Sequence, residues 1–363
     1  MMADVEVIGT RMLKGHTLKN SGITLSIGDF SITIRSNSTA LLARLKVYFR
    51  HVIATGEPAL TRELLAIEAP VDNFGLEFTD WAREPGKAGR KDAYVDFFGG
   101  RLVKKVRTGM IFLQSQSRVI AIGPCLENMS QVINFINTQY MNFLQRNDWL
   151  ICHAAALVRE GRAFGIAGLS GGGKSTLMLK MLEAEHTTYL TNDRLFVRGT
   201  NPVMAAGIPK WPRINPGTAL NNPRLAHLIP PTRRKELSAM SKEALWDVEE
   251  KYDVDIEREY GPGRFAEPTS LNGFLILNWS RDDPGEWRIE PVDLHRRRDL
   301  LPAVMKSPGP FYQRVDGSFW MDDTPLDEEA YLTTLTGVPF YEVTGRIDFE
   351  GVAHECLGHL PHT

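Results

Sequence analysis

Eight consecutive residues, Gly168-Leu169-Ser170-Gly171-Gly172-Gly173-Lys174-Ser175, satisfy the spacing GxxxxGK(S/T) at every fixed position. That composition suits a chain of phosphates. Glycines remove the Cβ atoms that would hold a ligand away from the main chain, so successive backbone N–H groups can converge on phosphate oxygens. A helix opening at Lys174 adds unpaired N–H groups and the positive end of a dipole, and the Lys174 ammonium supplies a mobile charge for the β and γ phosphates. The Ser175 hydroxyl can ligate magnesium, and Thr176 reads as a helix residue or a second phosphate contact. The expected cofactor-binding set is therefore Gly168, Ser170, Gly171, Gly172, Gly173, Lys174, Ser175 and Thr176, with ATP or another nucleoside triphosphate and Mg2+ as the ligands.

Two further side chains could take part in the chemistry. Asp193 follows a strand-like stretch over residues 188–191 and falls at the carboxyl end of a strand expected beside the phosphate loop. An acid there could hold the metal, directly or through water, or accept the proton of an attacking hydroxyl; the alternative is a turn-capping aspartate. His153 lies in Cys152-His153-Ala154-Ala155-Ala156, among small and apolar neighbours. Taken alone, such a histidine reads as a hydrogen-bonded core residue. Phosphoryl transfer concentrates negative charge, so a cation beyond Lys174 is expected, and Arg194, Lys210, Arg213 and Arg264 are the candidates between which spacing does not choose. The run His295-Arg296-Arg297-Arg298 reads as a solvated face or a contact for an acidic partner.

These residues need a scaffold. Residues 163–167 form an apolar strand before the loop, and Leu177, Met178, Met181 and Leu182 after it make a helical stripe that can pack on a sheet. From Trp149 onward the order of strand, turn, strand, glycine-rich loop, helix and strand is the grammar of a nucleotide-binding α/β layer. Residues 209–231 read as a Pro- and Asn-rich loop, 233–258 as an exposed charged helix, 260–265 as a tight turn, and 273–278 and 339–344 as strands. Upstream, residues 5–34 read as short alternating strands turning at Gly9, Gly22 and Gly28. A helix is expected over 40–52, strands over 64–67, 94–98 and 110–119, and a long helix over 128–150. The expected domains are an N-terminal α+β unit over 1–145 and the phosphate-loop unit over 146–363.

Composition sets outer bounds. With 363 residues, 43% hydrophobic and 24% charged, the chain has an ordinary globular make-up. A formal net charge of -2 gives no general attraction to nucleic acid or an anionic membrane, and neither is expected as a partner. Three scattered cysteines suit a reducing compartment, no apolar run reaches the roughly 18 residues of a membrane span, and the first residues lack the pattern of a secretory leader. A cytoplasmic protein is expected, and a homo-oligomer is compatible with the sequence. HExxH and CxxC patterns are missing from the sequence, so zinc hydrolysis has no local support.

The order of features over residues 150–197 resembles the HPr kinase/phosphorylase superfamily, particularly its HPr-kinase-related kinase B branch. His153-Ala154 on a strand, a turn at Gly161, the phosphate loop, one helix and Asp193-Arg194 at a strand end carry the resemblance, with Pro212-Arg213-Ile214-Asn215-Pro216-Gly217-Thr218 as a weaker echo. The resemblance implies a P-loop kinase core of the HPr kinase and phosphoenolpyruvate carboxykinase type, preceded here by a smaller α+β unit. It implies ATP and magnesium as cofactors, and a hydroxyl, typically of serine, on a protein or small molecule as acceptor. By residue match His153 would lie near the transferred phosphate, while Asp193 would serve metal and proton transfer, which makes His153, Lys174 and Asp193 the expected catalytic set and Ser175 and Asp193 the metal set. The chain has Asn192-Asp193 where the family usually has two acids, and the downstream glycine-rich signature tied to phosphorylase activity is missing. A kinase is thus expected rather than a bifunctional enzyme acting on HPr. The alternative reading is a switch or assembly protein in which bound ATP orders the loop near Arg264.

Overall fold

The computed structural model describes residues 4–56, 62–71, 74–82, 89–169, 171–241, 244–245, 248, 250–280 and 283–359. It is a mixed α/β protein that divides into two compact units, Met1–Asn147 with Ser307–Pro325, and Asp148–Lys306 with Leu326–Thr363. Residues 307–325 thus group with the first unit, although the sequence reading ran everything after 146 together.

The first unit is built on an eight-stranded sheet in the order Ile23–Ile27, Phe30–Ser36, Arg62–Glu68, Val119–Gly123, Ile111–Ser115, Gly100–Lys105, Asp92–Phe97, Thr79–Asp80. Phe30–Ser36, Arg62–Glu68 and Val119–Gly123 run parallel, and the remaining neighbours are antiparallel. Val5–Leu13 is a helix, where alternating strands were expected. Gly9 lies inside it and makes no turn. The reason is local: the Asp4 carboxylate accepts from the Val7 N–H at 2.8 Å, and Val5, Ile8, Gly9 and Met12 are buried at helical spacing. The expected strand over 110–119 is a hairpin of two strands, and the long helix ends at Arg146 because Leu150 already belongs to the next strand.

The second unit carries the glycine-rich loop. Its sheet runs Thr187–Thr191, Ala154–Arg159, Arg162–Gly168, Thr269–Leu277, Met204–Ala206, Leu195–Arg198, Leu150–Cys152, with Phe340–Thr344 also pairing on Thr269–Leu277 and Arg288–Val292 beyond it. Arg162–Gly168, Thr269–Leu277 and Phe340–Thr344 are parallel, so their carboxyl ends share one edge. On one face lies the helix Lys174–Met181, whose Leu177, Met178 and Met181, with the capping Leu182, join a core with Leu275, Leu277 and Val343. Full burial of each such side chain contributes about 1.5–3 kcal/mol, so the stripe fixes the helix and with it the loop. The helix Phe349–His359 packs on that same face through Val352, Ala353 and Cys356, where the sequence reading placed only a short tail. The opposite face is covered by Leu301, Val304, Tyr331 and Leu332. Among the described residues no helix is long and apolar enough to cross a membrane.

Candidate functional site

The strand Arg162–Gly168 delivers the loop to the shared carboxyl edge, and Lys174 opens the helix after it. Gly171 and Gly173 have φ of 85° and 89°, a left-handed backbone that side chains disfavour. At Gly173 space forbids a side chain as well, because a Cβ there would lie 2.6 Å from the ring of Phe349. Trp279 Nε1–H donates to the Gly172 carbonyl at 2.9 Å, and the Trp279 and Phe349 rings meet edge to face at 5.1 Å. An aromatic pair therefore backs the loop. Leu169 points outward, 58% exposed, and the Gly172 N–H closes a turn onto the Leu169 carbonyl at 3.0 Å. Ser170 lies outside the described residues.

Lys174 folds back across this turn. Its side chain is only 8% exposed, and Nζ donates to the Gly168 carbonyl at 2.7 Å. Ser175 is half-buried in the first helical turn. The Thr176 and Thr218 hydroxyls are 2.8 Å apart, so Thr176 ties the helix to Pro216–Leu220.

His153 and Asp193 come together. His153 leaves the strand Leu150–Cys152 and Asp193 leaves Thr187–Thr191, and His153 Nε2 lies 3.3 Å from Asp193 Oδ1. The second carboxylate oxygen, Oδ2, lies 3.2 Å from Lys306 Nζ. Spacing gave no warning of Lys306, which follows the apolar segment Leu301–Val304 far along the chain. Burial alone would raise the Asp193 pKa, but the Lys306 ammonium, His153 and Arg194 outweigh it and hold the carboxyl well below the usual carboxylate range. His153 is pushed down by burial first and by the charges of Lys306 and Lys174, against the opposing pull of Asp193. Lys174, His153, Asp193 and Lys306 thus share one electrostatic neighbourhood.

Of the other expected cations, Lys210 belongs to that neighbourhood. Burial, then repulsion from Arg194 and Arg213, lowers its pKa to about 7 against the pull of Asp193 and Asp253. Arg213 pairs with Asp253 at 3.0 Å across a two-stranded ladder. Arg264 is a structural clamp, donating to the carbonyls of Tyr260 at 3.0 Å and Thr187 at 2.5 Å, rather than a reagent carried on a loop. Within the run 295–298, Arg296, Arg297 and Arg298 are neutralised in place by Asp293, Glu342 and Glu329. The three cysteines are buried thiols, and burial pushes Cys125 and Cys356 up to about 12, away from nucleophilic use.

A magnesium ion would find oxygen donors here. Asn192 Oδ1, beside Asp193 in the chain, is buried with no hydrogen-bond partner among the described residues, and a hydroxyl is available at Ser175. Among the described residues no cluster of three His, Cys, Asp or Glu side chains could hold a metal by itself. That donor set fits an ion held largely by phosphate oxygens and water, the usual habit of magnesium in triphosphate sites.

No family model matches the sequence, and no curated protein matches it. Among solved structures, the HPr(Ser) kinase/phosphatase from Coxiella burnetii is similar at 12% identity, covering 57% of this chain and 93% of that one, with a TM-score of 0.27. An overlap that loose carries no argument about fold or function.

Proposed function

We propose that this chain is a phosphotransferase that moves the γ-phosphoryl group of a nucleoside triphosphate, ATP foremost, to a hydroxyl, that of a serine foremost, on a protein or small molecule. One observation carries the reading: the left-handed glycine turn with its lysine and the His153–Asp193 pair occupy the same edge of one sheet. Backbone N–H groups of Gly171 and Gly173 and the Lys174 ammonium would bind the β and γ phosphates. Bound magnesium would neutralise phosphate charge, held by Ser175 and, through water, by Asp193 and Asn192. Asp193, kept ionised, and His153 would orient the acceptor hydroxyl and receive its proton as the new O–P bond forms and the bond from Pγ to the β–γ bridging oxygen breaks, releasing the nucleoside diphosphate. Lys210 and Arg194 would meet the charge that develops on the phosphoryl oxygens. The ordered resemblance to HPr kinases adds support, and the buried free cysteines suit a cytoplasmic setting.

The test is transfer of label from γ-labelled ATP to fractions of a cognate lysate, with products identified by mass spectrometry. Labelled product that Lys174→Ala abolishes is expected. Tight ATP binding without any labelled acceptor across the whole screen would sink the transferase reading.

A further inference from the structure

The most heavily built feature of the site is the seat of Lys306. Its backbone N–H donates to the Tyr331 hydroxyl at 3.1 Å, and that hydroxyl donates to the Ile151 carbonyl at 2.5 Å, two residues before His153. The His153 N–H donates to the Val304 carbonyl at 2.7 Å, and Cys152 and Met305 form a bridge. Tyr331 is buried at the centre of this arrangement. The segment carrying Lys306 is therefore stitched to the strand that carries His153, which fixes the point from which the ammonium reaches the Asp193 carboxylate.

The side chains show the same bias. Lys306 is 16% exposed, low for a lysine, while Asp193 remains 49% exposed. A carboxylate at the mouth of a triphosphate site is a liability, because it repels the ligand unless a fixed cation offsets it. A flexible aspartate would also lose its register with His153.

We infer that Lys306 is a positioning residue of the transfer site, holding Asp193 by Oδ2 so that Oδ1 faces His153 and its charge is offset when the triphosphate enters. This deepens the phosphotransferase reading and rests on it. The residue acts through Asp193, which separates it from a cation that contacts phosphate itself. It also separates it from an ion pair that serves the fold alone.

The experiment is calorimetric titration of the full-length chain with a non-hydrolysable ATP analogue and magnesium, with thermal melts of every variant. Lys306→Met should weaken analogue binding roughly tenfold, whereas Lys306→Arg should stay within about threefold of the parent. Lys306→Gln gives the same reading if the methionine variant does not fold. In an Asp193→Asn background the same lysine change should cost less than about threefold, because the carboxylate it restrains is gone. Unchanged binding in both Lys306→Met and Lys306→Gln would overturn the inference while leaving the phosphotransferase reading intact. A full tenfold loss that persists in the Asp193→Asn background would also overturn it, by showing direct action on phosphate. Failure of the parent chain to bind the analogue would remove the broader reading and the inference together.

Discussion

Arg101 in the first unit and the lysines of the second are all cations drawn out of water, yet they are partnered in opposite ways. Arg101 is 0% exposed, donates to both oxygens of Asp96 at 2.5 and 2.8 Å and to the carbonyls of Pro310 and Trp320 at 3.0 Å each, and lies against the rings of Tyr94 and Phe319. Its hydrogen bonds go to its own fold. Around Asp193, by contrast, Lys306, His153 and Arg194 all act on one carboxylate, and Lys210 and Lys174 add further positive charge nearby. The difference teaches how to separate architecture from function: a buried charge matched by its partners holds a fold together, while several cationic groups converging on one partly exposed carboxylate mark a candidate place for chemistry.

The largest expected effect tests the architectural half of that contrast. Arg101→Met leaves Asp96 and two carbonyls unpaired and should lower unfolding stability by about 3–5 kcal/mol in a urea titration; a change under about 1 kcal/mol would show that Arg101 is dispensable to the fold. Lys174→Ala should do the reverse, cutting phosphoryl transfer by about 10²–10³-fold while the melting temperature moves little. If that variant unfolds instead, Lys174 belongs with Arg101.

Gly173→Ala is intermediate. The methyl group meets the Phe349 ring and an unfavourable backbone, a cost of about 1–3 kcal/mol that should appear as weaker nucleotide binding, and unchanged binding would show that the aromatic pair does not set the loop. The smallest effect concerns protons. Native Lys210 gives up its proton near pH 7 while the unfolded chain keeps it to about 10.5, so this residue makes stability rise with pH between those values. An arriving polyanion reverses the shift. Nucleotide binding at pH 8 should therefore take up a fraction of a proton, seen as a dependence of binding heat on the ionisation heat of the buffer, and affinity should fall as pH climbs above 7. Lys210→Met should abolish the uptake, and zero uptake in the parent chain would place Lys210 outside the site.

What the sequence revealed depended on how local each signal was. The glycine turn, Lys174 and the helix stripe were legible because dihedral freedom, charge and a period of 3.6 are written within a dozen neighbouring residues. His153 and Asp193 could be joined only through the order of motifs around the loop, and the structure sets them 3.3 Å apart. Lys306, Trp279 and Phe349 were missed because each reaches the site through tertiary packing, with nothing in its own neighbourhood to mark it. At Val5–Leu13 two local signals conflict: Gly9 suggests a turn, but the Asp4 cap and the spacing of Val5, Ile8 and Met12 make a helix.

The grouping of residues 307–325 with the first unit has a consequence for biogenesis. On the ribosome, a nascent chain that has released residues 1–147 still lacks Pro310 and Trp320, whose carbonyls receive Arg101, and Phe311, whose ring packs on Phe112 and Phe135. Vectorial synthesis must therefore carry that unit unsealed while the intervening residues emerge, with its apolar interior open to chaperones in the meantime. A fragment ending near residue 147 would lack these partners and should aggregate rather than behave as a free-standing domain.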